Sequence, residues 1–340
     1  MPISTASRRE RRCSEGHRVI GPLRRFPLGL PGRTLVLGAG GFLGSQAAVW
    51  LASTGSSLRL FDLSIESIPE EARRAPGVEV VHGNLLDEAL VRHALEGVDQ
   101  VLHFVSATVP ATSVAEVDLE LRANVQPTLR LLGAMRSAGT PLLVFPSSGG
   151  TVYGDEVPEN GFAETATPRP YGSYGLGKLL NEEILAFYAR SGGPHCLVLR
   201  IANAYGPSVH GHNRQGVINA FLDRVRAGEP VRIWGDGSAV RDYVHVEDIL
   251  SALSALVRSG ARDEIYNVGS GRGRSVREVL DVIRHVTGRE IALERVSGEY
   301  AGVRRSVLDV SRLRTRTGWE PGVELEEGIA HLWASFGERR

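Results

Sequence analysis

Apolar positions in the first two thirds of the chain form short continuous runs, which alternate with longer stretches where apolar residues recur at helical spacing. The runs predict buried strands over residues 34–38, 58–62, 78–83, 100–105, 142–148 and 195–203. The helical spacing predicts helices over residues 42–53, 87–97, 117–139 and 173–190. Together these elements predict a doubly wound α/β fold, in which helices cover both faces of a parallel (Rossmann) sheet.

The alternation weakens after residue 203. Helical spacing there predicts helices over residues 216–227, 247–258, 275–288 and 324–337. Short apolar runs predict strands over residues 231–237 and 265–269. This part of the chain therefore predicts a smaller C-terminal α+β domain, which we expect to bind the substrate.

The changes of pattern also suggest domain boundaries. We expect the Rossmann domain to comprise residues 33–203 plus about 242–268, and the second domain to comprise 204–241 and 269–340. Residues 1–32 are rich in arginine and contain no apolar run of the roughly 7–15 residues that a secretory signal needs. We expect them to form a disordered basic tail.

Composition argues against several classes of protein. Lysine and arginine total 39, as do aspartate and glutamate, and the resulting net charge of zero argues against a nucleic-acid partner. The sequence contains only Cys13 and Cys196, which argues against a disulfide framework and fits a reducing, cytoplasmic compartment. No stretch reaches the roughly 18 apolar residues of a spanning helix, so no membrane partner is expected. We predict no metal site.

A glycine-rich turn follows the first predicted strand, with Gly38, Gly41 and Gly44 at intervals of three residues. Glycine permits a sharp turn and a close approach of pyrophosphate, and the following helix N-terminus offers N–H groups and partial positive charge. Asp62 ends the next strand, where its carboxylate can bind both hydroxyls of an adenosine ribose. Neither of the next two residues is an arginine that could receive a 2′-phosphate. The sequence therefore predicts NAD as the cofactor, rather than NADP.

A tyrosine–lysine pair lies at the start of the last long helix of the first domain. Tyr174 and Lys178 are four residues apart and share one face, in a stretch that also contains Gly172, Gly175 and Gly177. The pKa of a free tyrosine is near 10, and a neighbouring ammonium plus an oxidised nicotinamide is expected to lower it. Tyr174 could then take a proton from a sugar hydroxyl while a hydride leaves the same carbon. We expect the glycines to let the nicotinamide and the sugar pass close to this backbone.

Ordered motifs extend over most of the chain: GAGGFLG, VLHFVSA, ANVQPT, SSGGTVYG, SYGLGK, LRIANAYGP and RDYVHVEDI. With these motifs, residues 33 to about 335 resemble the extended short-chain dehydrogenase/reductases, in the branch of nucleotide-sugar epimerases and dehydratases. The resemblance implies a tightly bound NAD that is regenerated in each turnover, and a UDP-sugar substrate. It also implies a homodimer formed through the helices predicted over 117–139 and 173–190.

The resemblance assigns roles to individual residues. It implies catalytic roles for Ser148, Tyr174 and Lys178. It implies NAD contacts from Gly38, Gly41, Phe42, Leu43, Gly44, Asp62, Asn84, Leu85, Phe104, Val105, Ser106, Asn124, Ser147, Tyr174, Lys178 and Ile201. It implies UDP-sugar contacts from Thr108, Ser148, Gly149, Tyr174, Asn203, Arg214, Gly216, Val217, Arg241 and Arg304, with Asn203 and Arg241 at the phosphates.

The chain departs from the family pattern in the SSGGTVYG segment. Many epimerases carry the catalytic hydroxyl at the position of Gly149, and we assign that role to Ser148 instead. A 4,6-dehydratase carries an Asp–Glu pair where Gly150 and Thr151 stand, and a UDP-glucuronate decarboxylase carries a glutamate at Thr151. The resemblance therefore implies the least demanding reaction of the branch, NAD-dependent inversion at C4 through a 4-keto sugar.

The sugar and some alternative functions remain open at this stage. UDP-glucose/galactose, an N-acetyl form and UDP-glucuronate/galacturonate are all candidates, and Arg214 could bind a C5 carboxylate with two hydrogen bonds. The alternatives are a UDP-glucuronate decarboxylase, a 4,6-dehydratase-like enzyme, a reductase that consumes its cofactor, and a catalytically inactive NAD-binding regulator. The presence of both Tyr174 and Lys178 argues against an inactive regulator.

Overall fold

The computed structural model describes residues 28–109, 116–155, 158–207, 216–296 and 303–336. In this part of the chain the strands are β1 (Thr34–Leu37), β2 (Leu58–Asp62), β3 (Val78–His82), β4 (Gln100–His103), β5 (Leu142–Ser148), β6 (His195–Ile201), β7 (Asn203–Tyr205), β8 (Val231–Trp234), β9 (Val240–His245), β10 (Glu264–Val268), β11 (Gly273–Ser275), β12 (Leu293–Val296) and β13 (Arg305–Ser306). The α-helices are α1 (Phe42–Ser53), α2 (Glu70–Arg73), α3 (Glu88–Ala94), α4 (Val117–Glu120), α5 (Gln126–Ala138), α6 (Ser173–Arg190), α7 (Val217–Ala227), α8 (Val246–Arg258), α9 (Val276–Thr287), α10 (Ser311–Thr317) and α11 (Leu325–Ser335).

A seven-stranded sheet forms the centre of the molecule, with the strand order β10-β6-β5-β4-β1-β2-β3. All of its neighbouring strands run parallel. The six strands predicted before residue 203 all belong to this sheet, so the predicted doubly wound fold is confirmed. The order of connection reverses between β1 and β4, and ligands of open α/β sheets bind in the crevice at such a reversal.

Helices cover both faces of this sheet, which explains why its strands are apolar at nearly every position. On one face α1 and α8 pack on the strands through residues such as Trp50 and Leu253. On the other face α5 and α6 pack through residues such as Leu131 and Leu185. The chain contacts this domain before residue 33, the predicted domain start. Ser254 Oγ in α8 donates a hydrogen bond to the carbonyl of Leu28 at 2.8 Å.

The helix predicted over 117–139 differs from the prediction. It consists of α4, a π-helical turn over Leu121–Val125, and α5. Gly139, with a φ of 71°, ends α5 in the left-handed conformation that favours glycine. Helical spacing of apolar residues does not distinguish a π turn from an α-helical one. π-helical turns occur frequently at functional sites.

The smaller domain is built on short strands beside the carboxyl edge of the main sheet. β9 pairs with β7, β11 and β13, while β8 pairs with β12. Its apolar core joins α7, α9 and α11 through residues such as Phe221, Ile283 and Leu332. Only Ala202 separates β6 from β7, so the chain passes from the main sheet into this domain directly at Asn203.

Candidate active site

The turn between β1 and α1 contains contacts that only glycine permits. Gly38 has a φ of +77°, and a Cβ there would lie 2.9 Å from a backbone nitrogen of the loop after β4. A Cβ at Gly44 would lie 1.9 Å from the carbonyl oxygen of Gly38, so α1 packs directly on the turn. Gly41 is the exposed N-cap of α1, followed by Phe42, which is buried, and Leu43, which is half-buried. The turn therefore leaves the N-terminus of α1 open to a pyrophosphate.

Asp62 lies beside this turn, at the end of the neighbouring strand β2. Its carboxylate accepts hydrogen bonds from Gly40 N at 2.8 Å and from Ser64 N at 3.0 Å. Ser67 Oγ donates a third, longer hydrogen bond to Oδ1 at 3.3 Å. A carboxylate has about four lone-pair sites, so Oδ2 keeps one for a ribose hydroxyl. After β3, Asn84 is exposed and Leu85 is buried. These residues fit the adenosine half of NAD.

The loop after β4 joins the glycine turn to the helix that contains Asn124. Phe104 N donates a hydrogen bond to the carbonyl of the last residue of β1 at 2.9 Å. Asn124 Oδ1 accepts one from Ala107 N at 2.8 Å. Phe104 and Val105 are half-buried, while Ser106 is exposed. The loop is thus held from both sides at the crevice where the sheet reverses, the expected place of the nicotinamide half.

Lys178 extends from α6 to the carboxyl end of β5. Its Nζ donates a hydrogen bond to the carbonyl of Pro146 at 2.8 Å and lies 5.6 Å from the centre of the Tyr174 ring. The predicted pair therefore shares one face of α6 beside the end of a central strand. Burial lowers the pKa of Lys178 to about 8, although the carboxylates of Glu120 and Glu182 favour its charged form.

Burial raises the pKa of the Tyr174 phenol above its ordinary value, and the charge of Glu120 raises it further. In the protein alone, desolvation of the phenolate is the largest influence on this pKa. The lowering expected from Lys178 together with an oxidised nicotinamide stays a prediction.

The glycines at the start of α6 provide room for other parts of the protein, a packing role that the sequence analysis did not predict. A Cβ at Gly175 would lie 2.6 Å from the carbonyl oxygen of Thr151. A Cβ at Gly177 would lie 3.1 Å from the carboxyl carbon of Glu120. Gly172, the N-cap, has a φ of +100°. The groups that need these glycines are therefore a backbone carbonyl and a buried carboxylate.

Two serines end β5 in different surroundings. Ser147 Oγ donates a hydrogen bond to Glu182, which forms a buried ion pair with Arg200 (Nη2–Oε2, 2.6 Å). The hydroxyl of Ser147, a predicted NAD contact, is thus engaged inside the protein. Ser148 is half-buried, and its hydroxyl bonds to no other residue in the described part of the chain. Ser148 therefore keeps its hydrogen-bonding capacity for a ligand.

Close packing explains why position 149 is a glycine and not the hydroxyl residue of many epimerases. A Cβ there would lie 2.6 Å from Leu308 Cδ1 and 3.1 Å from the carbonyl oxygen of Arg200. Its backbone N–H donates to the carbonyl of Ile201, a buried residue at the end of β6, at 2.8 Å. A serine or threonine at position 149 would therefore collide with its neighbours.

Three residues predicted to bind the UDP-sugar converge on the small sheet. Asn203 Nδ2 donates a hydrogen bond to the carbonyl of Asp242 at 3.1 Å, across the β7–β9 pair. The guanidinium of Arg241 donates to the carbonyl of Val303. The next residue, Arg304, is exposed. The Asn203 amide and the Arg241 guanidinium thus lie on the small sheet, and Arg304 directly precedes its strand β13.

The N-terminus of α7 lies against the same small sheet. Gly216, its N-cap, has a φ of +87°, and a Cβ there would lie 2.9 Å from the carbonyl oxygen of Ala204 in β7. Val217 is the half-buried first residue of α7. This helix end can add N–H groups to a site for anions. Arg214 lies outside the described residues.

The sequence analysis missed one buried carboxylate, Glu120, which lies between the loop after β4 and the start of α6. Thr108 Oγ1 donates to Glu120 Oε1 at 2.6 Å, and Asn124 Nδ2 donates to Glu120 Oε2. Thr108, a predicted sugar contact, is therefore buried with its hydroxyl bound inside the protein. The sequence did contain a signal, because Glu120 precedes Asn124 by four residues and so falls on the buried face of the predicted helix.

Comparisons with known proteins agree with this geometry. The profile of the NAD dependent epimerase/dehydratase family matches residues 34–269. The UDP-glucose 4-epimerase of Mycolicibacterium smegmatis is 34% identical over 303 residues, which cover 88% of this chain and 96% of that protein. The Thermus thermophilus UDP-glucose 4-epimerase, solved in complex with NAD, is 32% identical, with a TM-score of 0.79 and coverage of 91% of this chain and 100% of that one. MoeE5, solved in complex with UDP-glucuronic acid and NAD, is 30% identical, with a TM-score of 0.78 and coverage of 90% and 100%.

The chain belongs to the NAD dependent epimerase/dehydratase family, because the profile and the M. smegmatis relative both extend over most of its length. This result confirms the predicted family and NAD as the cofactor. It also identifies the protein as an enzyme of that family. In the residues that the structure describes, every helix is too short or too polar to cross a bilayer.

Proposed function

We propose that the protein is an NAD-dependent UDP-sugar 4-epimerase that inverts C4 through a 4-keto intermediate. The proposal depends on the joint placement of Tyr174, Lys178 and Ser148 at the carboxyl edge of the main sheet. In this proposal the glycine turn holds NAD on one side of them, and Arg241 and Arg304 bind the phosphates of the substrate on the other. A nucleotide sugar whose phosphates bind the two arginines can therefore present its sugar to the phenol, the ammonium and the hydroxyl.

Each of the three side chains has a separate task. Tyr174 takes the proton from the C4 hydroxyl and returns it in the reverse step. Ser148 donates a hydrogen bond to the same oxygen. Lys178, fixed by the carbonyl of Pro146, holds a positive charge near the phenolate. NAD, held by the glycine turn and Asp62, would supply the redox chemistry as the acceptor and then the donor of the C4 hydride.

The raised pKa of Tyr174 couples proton transfer to the cofactor. An oxidised nicotinamide would add its positive charge to that of Lys178 and lower this pKa. Tyr174 thus becomes a base only when an acceptor for the hydride is in place. This coupling prevents the proton from leaving C4–OH without the hydride.

The segment that carries acid and base groups in dehydratases lacks them here. Gly150 has no side chain, and the Thr151 hydroxyl is buried with no hydrogen-bond partner among the described residues. Removing water from the sugar needs an acid and a base in addition to the tyrosine. The absence of both groups from these positions favours epimerisation over dehydration and over decarboxylation.

Two pairs of UDP-sugars are the candidate substrates. The UDP-glucose 4-epimerase relatives support UDP-glucose/galactose, and MoeE5, which binds UDP-glucuronic acid, supports UDP-glucuronate/galacturonate. The pairs differ in a C5 carboxylate that Arg214 would bind. The Arg214→Gln variant distinguishes them, because it should lower kcat/KM about tenfold or more for the glucuronate alone.

The reaction is tested by incubating the purified protein, without added NAD, with UDP-glucose and separately with UDP-glucuronate. We expect the C4 epimer of at least one sugar, formed to equilibrium without net change in cofactor absorbance. Release of CO₂ would indicate a decarboxylase, and stoichiometric consumption of reduced cofactor would indicate a reductase. Bound NAD without turnover of any nucleotide sugar would indicate a regulator.

We also propose that the protein is a homodimer that forms through α5 and α6. Exposed apolar side chains lie along these helices and the turns before α5: Leu119, Leu121, Leu129 and Phe187. Phe187 in α6 is 59% exposed, and an exposed apolar patch of this kind is typical of an interface. Phe187→Glu should shift the protein to a monomer in sedimentation equilibrium. Glu183→Gln, at an exposed position of the same helix, is the matched control and should remain dimeric.

A further inference from the structure

Glu120 is a nearly fully buried acid, with 2% of its surface exposed, that makes no salt bridge within the described residues. Its hydrogen-bond donors in the described part of the chain are Thr108 Oγ1 and Asn124 Nδ2. Burying a carboxylate without a bonded cation is costly. A site that only needed packing would be more stable with an apolar side chain there, so the position of this charge calls for another explanation.

The carboxylate holds the loop after β4 directly at Thr108 and indirectly through Asn124. The single Thr108 hydroxyl proton is shared between its two oxygens, which lie 2.6 and 2.7 Å from Oγ1. Asn124 Nδ2 donates to Glu120 and, at 2.8 Å, to Thr108 Oγ1, while Asn124 Oδ1 accepts from Ala107 N. The π-helical turn begins directly after Glu120 and contains Asn124. Glu120 and Asn124 therefore clamp the loop that faces the expected nicotinamide site.

The opposite side of Glu120 faces the start of α6. A Cβ on Gly177 would lie 3.2 Å from Glu120 Oε1, so the carboxyl group packs directly on the backbone between Tyr174 and Lys178. The charged and titratable groups that act on this pair are Glu120, Glu182 across α6, and His103 at the end of β4. Of these, Glu120 is the one that acts on both Tyr174 and Lys178.

We propose that Glu120 is a positioning residue for the reaction. It clamps the loop after β4, and from its place against Gly177 it controls the protonation states of Tyr174 and Lys178. The inference rests on the proposed function only for the identity of the reaction. A negative charge at this point keeps Lys178 protonated and also holds Tyr174 in its neutral form. The tyrosine therefore stays neutral until oxidised cofactor supplies an opposing charge.

The test compares the NAD-loaded protein with its Glu120→Gln variant, which keeps the shape of the side chain and removes the charge. The first readout is the near-ultraviolet absorbance of tyrosinate against pH, corrected with Tyr174→Phe on each background. We expect Tyr174 to titrate about one pH unit lower in Glu120→Gln. Asp118→Asn removes an equal charge from an exposed position two residues earlier and should titrate like the wild type.

The second readout is the pH profile of kcat on the UDP-sugar that the wild type converts. Both limbs should move to lower pH in Glu120→Gln, because the pKa values of Tyr174 and Lys178 fall together. Glu120→Asp keeps the charge but shortens the clamp, so it should lower kcat without moving the profile. This variant also tests the clamp if Glu120→Gln fails to fold.

The outcomes separate the two proposals. Unchanged tyrosinate titration in Glu120→Gln overturns the role of Glu120, whatever happens to its kcat. A lower kcat with an unshifted profile in that variant also overturns it, since a purely structural loss would do the same. If the wild type converts no UDP-sugar, the proposed function fails, while the titration alone still decides the role of Glu120.

Discussion

Two glycine clusters surround the candidate site, and they exist for different reasons. In the turn after β1, the carbonyl of Gly38 excludes a side chain at Gly44, six residues later in the same motif, although Gly38 itself also lies against the loop after β4. At the start of α6, the groups that exclude side chains are the Thr151 carbonyl and the Glu120 carboxylate, which are distant in sequence. A local constraint leaves a recognisable spacing in the sequence. A constraint from residues that are distant in sequence also produces glycines, but the sequence does not show which group they make room for.

The contrast also separates binding from chemistry. The first cluster exposes the N-terminus of α1, where backbone N–H groups can bind a phosphate, and contributes no titratable group. The second carries Tyr174 and Lys178, whose pKa values depend on burial and on Glu120. Substitutions in the first cluster should therefore change cofactor retention and stability, and substitutions around the second should change turnover.

Tyr174→Phe is expected to show the largest difference between the two clusters, because it should affect turnover and not cofactor retention. The variant loses the group that moves the C4–OH proton, so kcat should fall about a thousandfold or more. NAD should still co-purify in wild-type amount, because no pyrophosphate contact changes. Turnover is measured on the UDP-sugar that the wild type converts, and cofactor content by release after denaturation. Turnover near the wild-type rate would remove Tyr174 from the mechanism.

Gly44→Ala should show the reverse pattern. Its Cβ would lie 1.9 Å from the Gly38 carbonyl, and that overlap should cost about 3 kcal/mol of unfolding free energy. Bound NAD should be lost with it, since α1 must move away from the turn. Urea unfolding and cofactor content are the measurements. Gly41→Ala is the graded control, with a nearest contact of 3.3 Å, and should keep the fold while retaining less NAD.

Gly175→Ala tests the packing explanation for α6. Alanine is favoured over glycine in a helix interior by roughly 1 kcal/mol. The Cβ would lie 2.6 Å from the Thr151 carbonyl, however, so we expect a net destabilisation of about 1–2 kcal/mol in urea. A more stable variant would contradict the close contact between α6 and the segment after β5.

The smallest effect is expected at His103, the last residue of β4. Burial lowers the pKa of His103 to about 3, with a further contribution from Lys178, so the native state keeps this ring neutral. The unfolded chain binds a proton below about pH 6.5 and the native state does not, so stability falls as the pH drops from 6.5 towards 3. The urea midpoint should therefore fall between pH 7 and pH 5, and fall less in His103→Gln. An equal decrease in both would show that His103 does not contribute.

Much of the molecule followed from its local patterns. Short segments of sequence were enough to predict the main sheet, the glycine turn, Asp62 and the Tyr174–Lys178 pair. The glycine turn and Asp62 lie where parallel strands end. The π turn, the use of the Ser147 hydroxyl by Glu182 and the clamp at Glu120 depend on contacts between distant segments. The raised pKa of Tyr174 in the protein alone could not be predicted for the same reason, because burial is a property of the folded protein.

The proposed chemistry is tested most directly by following a deuterium label at C4 of the UDP-sugar. If the hydride that leaves C4 returns to the same carbon, the epimer formed without added NAD should keep the label at C4, and water should contain none. Loss of the label to water, or its transfer to another carbon of the sugar, would contradict inversion through a 4-keto intermediate.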